Sequence, residues 1–177
     1  MSPRYLLAMA AFATVASGAV FKSQPLVIGL TAGDGQDAGT ATLSPVRGGV
    51  RFKLDLRNLP EGEHSLDIHQ VGKCDAPDFA SAGARFNPGG PGGKEQGSAS
   101  PKGAVTGELP VKLEILPDGT EHLLFTAQSV SLRKNAPNSL FANGGTSIVI
   151  HARADDKRAD PSGAGGDRIA CGVIVPQ

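Results

Sequence analysis

Val50-Arg51-Phe52-Lys53-Leu54-Asp55-Leu56-Arg57 alternates apolar and charged residues without a break. Successive side chains of a strand point to opposite faces. Val50, Phe52, Leu54 and Leu56 therefore share one face, and the four charged residues share the other, the pattern of a half-buried strand. Shorter runs of β character lie on both sides of it, at 26–30, 40–43, 66–68, 111–116, 122–126 and 146–152. Asp34-Gly35 and Pro117-Asp118-Gly119 supply the turn chemistry of hairpins between such runs. No apolar period of 3.6 residues persists beyond the N-terminal segment, so helices are expected to be few and short. The pattern predicts an antiparallel all-β domain. Two long segments interrupt it, 83–107, rich in glycine and proline, and the charged stretch 155–168.

The first residues, Met1 to Tyr5, carry Arg4 and precede an apolar run from Leu6 to Ala16 and the small residues Ser17, Gly18 and Ala19. This is the layout of a cleaved secretory signal, and the run is too short to span a bilayer. Residues 1–19 are thus expected to be a signal peptide and 20–177 one domain, with a periplasmic or secreted destination and no membrane span in the mature protein. Seventeen Lys and Arg balance seventeen Asp and Glu. With no basic run, the charge pattern argues against nucleic acid as a partner. Cys74 and Cys171 are the two cysteines. In an exported chain a pair of this kind forms a disulfide. The alternative, two metal-binding thiolates, lacks the second Cys pair or C-x-x-C spacing of a zinc site.

Two separated stretches carry further information. Residues 62–88 read G-E-H-S-L-D-I-H-Q-V-G-K-C-D-A-P-D-F-A-S-A-G-A-R-F-N-P, and 146–174 include T-S-I-V-I-H-A-R-A-D-D, D-P-S-G and R-I-A-C-G-V-I. Together they resemble the copper-zinc superoxide dismutase family over nearly the whole mature chain. The resemblance implies an eight-stranded antiparallel Greek-key β-barrel or sandwich with two long loops, and it implies that Cys74 and Cys171 form the family disulfide. It places His69 and His151 at two copper-ligand positions and His64 at a structural histidine that hydrogen-bonds backbone. Asp155 falls at the aspartate that orients ligand histidines, and Arg168 at the arginine that guides the superoxide anion.

The chain departs from the family at the metal positions themselves. Asp67 stands where the first copper histidine is expected, and Arg85 where the imidazole that bridges copper and zinc is expected. A guanidinium offers only donors and cannot ligate a metal. Gln96 and Val105 fall at two zinc histidines and Glu108 at the zinc aspartate, so no zinc is expected. Asp67 and Arg85 are expected to lie across the vacated copper position as a salt bridge in place of the metal.

Two functions follow from this reading. In the first, the chain is an exported family member with zinc lost, copper binding weak and little or no dismutase activity, acting as a binding or structural module. In the second, it is a copper-only superoxide dismutase with Asp67, His69 and His151 as the residual site and Arg168 guiding the anion. A small anion or copper is the expected guest. The sequence leaves a homodimer open.

Overall fold

The computed structural model describes residues 24–88, 106–154 and 165–176. Residues 1–19, expected to be a signal peptide, lie outside the described residues, as do Gln96, Val105 and Asp155. Eight strands follow one another: β1 (Leu26–Ala32), β2 (Asp37–Val46), β3 (Gly49–Leu56), β4 (Gly62–His69), β5 (Glu108–Ile115), β6 (Glu121–Ala127), β7 (Thr146–His151) and β8 (Arg168–Ile174). Two single-turn 3-10 helices, Ala80–Ala82 and Ala142–Gly144, are the helical segments among the described residues.

Every strand pair is antiparallel, in the order β5-β4-β7-β8-β1-β2-β3-β6. The non-consecutive neighbours β3 with β6, β4 with β7 and β1 with β8 are the Greek-key crossings. The sheet's two ends, β5 and β6, approach each other, so the barrel is nearly closed. Their hairpin turns at the expected Pro117-Asp118-Gly119, where Gly119 has φ 78° and its amide donates to the Leu116 carbonyl. Asp34-Gly35 closes the β1–β2 hairpin in the same way, with Gly35 at φ 87°.

The charged alternation of 50–57 resolves as expected. Val50, Phe52, Leu54 and Leu56 are fully buried, and Phe52 pairs with Leu43 on β2 and Phe125 on β6. The Phe52 and Phe125 rings stack 5.1 Å apart. β4 is longer than the run 66–68 suggests, because both of its faces are covered from His64 to His69. Leu66 and Ile68 enter the barrel core. Ser65, Asp67 and His69 alternate with them on a face covered by the segments that carry Arg85 and Gly165, so polarity no longer tracks exposure. β7 is likewise buried along its whole length.

The disulfide Cys74–Cys171 forms and ties the segment after β4 to β8. Phe79, Ala82, Val149 and Cys171 pack around it as a second small core on the outer face of the sheet. With the cysteines 97 positions apart in sequence, loop closure restrains the unfolded chain by about 4–5 kcal/mol in the chain-entropy model. The segment so anchored carries Arg85 back to β4.

Candidate metal centre

β4 and β7 run side by side with Asp67 opposite Val149 and His69 opposite Ser147. Asp67 and His69 project from the same face of β4, and His151 ends β7 on that face. The returning loop adds Arg85 through an antiparallel bridge to His69, and Gln70 and Phe86 donate backbone hydrogen bonds that hold it there. Arg168 opens β8. Asp67, His69 and His151 are all buried, and one ligand atom from each lies within 4.8 Å of the other two. Among the described residues this is the one group of three or more such side chains able to converge on an ion.

Backbone carbonyls fix both imidazoles. His69 Nδ1 donates to the Gly83 carbonyl at 2.8 Å, and His151 Nδ1 donates to the Gly166 carbonyl at 3.1 Å. A neutral ring whose Nδ1 carries the proton presents a lone pair at Nε2. The two Nε2 atoms face each other at 3.3 Å. Two nitrogens each about 2.0 Å from one ion in tetrahedral geometry stand about 3.3 Å apart, so the pair fits a metal cation. His64 holds the frame from behind, with its ring nitrogens 2.8 and 2.9 Å from the carbonyl oxygens of His151 and Pro60.

The expected ion pair is present. Arg85 Nη2 donates to Asp67 Oδ2 at 2.8 Å, with 14 % of the Arg85 side chain and 1 % of the Asp67 side chain exposed. The same carboxylate oxygen lies 3.6 Å from His151 Nε2. The ion pair and the convergent imidazoles therefore coexist, and the pair does not displace the rings. Glu108 is the register partner of Asp67 across β4 and β5.

Arg168 donates to the Phe79 carbonyl at 2.5 Å and to the Gly83 carbonyl at 2.8 Å. One carbonyl thus serves both His69 and Arg168. Sequence reading missed this role of Gly83, because a backbone acceptor leaves no side-chain signature. Gly83, Gly166 and Arg168 also line an open pocket of about 600 Å³ that carries Asp78 and Asp167. His122, the remaining histidine, is exposed on β6 and contacts Asp55 at 3.0 Å.

The matching family model is that of the copper/zinc superoxide dismutases, over residues 37–174. The chain belongs to that family. A copper-zinc superoxide dismutase of Aquifex aeolicus is 41 % identical over 141 residues, covering 79 % of this chain and 81 % of its own. The superoxide dismutase-like protein YojM of Bacillus subtilis is 37 % identical over 128 residues, with 72 % and 63 % covered. The fold agrees with the crystal structure of a double mutant of a superoxide dismutase-like protein from Bacillus subtilis, at a TM-score of 0.75 and 32 % identity. That match covers 85 % of this chain and 97 % of the other.

Burial pushes the His69 pKa down to about 4; the Gly83 hydrogen bond opposes the shift, and the charges of Arg168, His151 and Arg85 add to it. The unfolded ring, with a pKa near 6.5, binds a proton that the folded ring refuses. Stability from this group is present above pH 6.5 and is lost as pH falls from 6.5 towards 4. The loss is expected to be on the order of 3 kcal/mol. Urea unfolding at pH 7 and pH 4.5, with His69→Gln as comparison, measures it; a variant with the same pH slope as the parent would refute the assignment.

Proposed function

We propose that the chain is an exported copper/zinc superoxide dismutase-family protein that has given up the dismutase cycle and zinc. It acts as a binding or structural module and holds copper weakly between His69 and His151. The apolar run Leu6–Ala16 supports export, as does the disulfide, a bond that persists in oxidising compartments. No helix among the described residues is long and apolar enough to cross a membrane. The observation that carries the reading is the 2.8 Å Asp67–Arg85 pair beside the imidazoles.

Copper, when bound, supplies one-electron chemistry to superoxide. The residues here do something narrower. Gly83 and Gly166 orient the two rings, and Asp67 and Arg85 neutralise each other at the third side. Arg85 remains a cation and has no lone pair to offer a metal. It cannot carry out the release and protonation that the family's bridging imidazole performs. Arg168, with both terminal nitrogens donating to loop carbonyls, acts as a clamp on the segment that carries Arg85. Elemental analysis of protein purified from a copper- and zinc-replete host is expected to give well under one zinc and less than one copper per chain. His69→Ala is expected to abolish the copper. One zinc per chain would overturn this reading.

The convergence of three ligand atoms within 4.8 Å favours a second reading, a copper-only dismutase using Asp67, His69 and His151. In that case Arg168 would guide the anion, and Asp67 would have to leave Arg85 for the metal.

A further inference from the structure

We propose that the site takes copper as the cuprous ion and discriminates against the cupric ion and zinc, with Arg85 setting the preference. This rests on the two-imidazole reading above and names the oxidation state that it serves. The donors are two neutral nitrogens, His69 Nε2 and His151 Nε2, 3.3 Å apart. A cuprous ion is satisfied by two or three donors and has no strict geometric demand. A cupric ion takes four or more in tetragonal array, and structural zinc takes four. No fourth His, Cys, Asp or Glu joins the group among the described residues.

Asp67 is the anionic donor within reach, and its Oδ2 is 2.8 Å from Arg85 but 3.6 Å from His151 Nε2. Its negative charge is therefore compensated where a divalent ion needs it. Moving it onto a metal breaks a charge-assisted hydrogen bond in a buried setting. Coulomb energy is linear in charge. The guanidinium cancels most of the carboxylate's attraction for a bound ion, and a dication loses twice as much by that cancellation as a monocation. The pocket against Gly83 and Gly166 carries the carboxylates of Asp78 and Asp167, and the guanidinium of Arg168 is occupied by two carbonyls.

Competition titrations of the purified protein with copper(I) and copper(II), against chelators selective for each, test the proposal. The parent is expected to bind copper(I) at least about a hundredfold more tightly than copper(II). Arg85→Gln, which releases the Asp67 carboxylate, is expected to reduce that ratio at least tenfold, a fall of about 60 mV in the copper midpoint potential. Copper(II) bound as tightly as copper(I) by the parent would overturn this inference alone, as would an unchanged ratio in folded Arg85→Gln. Binding of neither ion would overturn both it and the two-imidazole reading.

Discussion

Asp67→His combined with Arg85→His is expected to raise copper affinity by at least a hundredfold and to introduce superoxide dismutation. The two positions flank the retained imidazoles. Asp67 shares the β4 face with His69, and Arg85 is bridged to His69 from the returning loop. Replacing both gives four imidazoles around one point and removes the fixed cation. It also supplies a titratable group at the position of the family's bridge. Each single change should achieve far less, because Arg85→His leaves the carboxylate in place and Asp67→His leaves the guanidinium beside the metal. Copper affinity of the two single variants and the double variant checks this non-additivity. A double variant that binds copper no better than the parent would show that these are not ligand positions.

The second large effect concerns the apo fold. Arg85→Met removes the guanidinium from a carboxylate that is 1 % exposed. Breaking a buried ion pair on one side costs about 3–5 kcal/mol, because the remaining charge stays desolvated. Replacing both partners with apolar residues of similar volume, Asp67→Leu with Arg85→Met, is expected to recover most of that loss. Urea unfolding of the parent, both single variants and the double variant measures the coupling. If the single change costs less than about 1 kcal/mol, the pair is solvated and does not hold the loop to β4.

These expectations show which parts of the molecule were legible in the sequence. β3 could be read because one of its faces meets solvent, so charge marks every outward residue from Arg51 to Asp55. β4 could not be bounded in this way, whereas the run 146–152 matched β7 to within one residue. The segments that carry Arg85 and Gly165 cover the second face of β4, and Ser65, Asp67 and His69 are buried along with Leu66 and Ile68. The Asp67–Arg85 pair was legible because two substitutions of opposite charge fall at positions that the family brings together. Its coexistence with the imidazoles was not. That depends on the 2.8 and 3.1 Å hydrogen bonds by which the Gly83 and Gly166 carbonyls turn the rings, and a carbonyl is common to every residue. The disulfide was legible from compartment and cysteine count. The small core around it, with Phe79 and Ala82 against Val149, required the fold.

On the proposed reading, Asp67 and Arg85 have removed the dismutase cycle while leaving two copper-capable imidazoles. Pulse radiolysis of the copper-loaded protein, with free copper chelated, tests it most directly. Superoxide is expected to decay no faster than in a metal-free control, with catalysed decay in the Asp67→His, Arg85→His variant under the same conditions. Catalysed decay in the parent, proportional to its bound copper and abolished by His69→Ala, would contradict it.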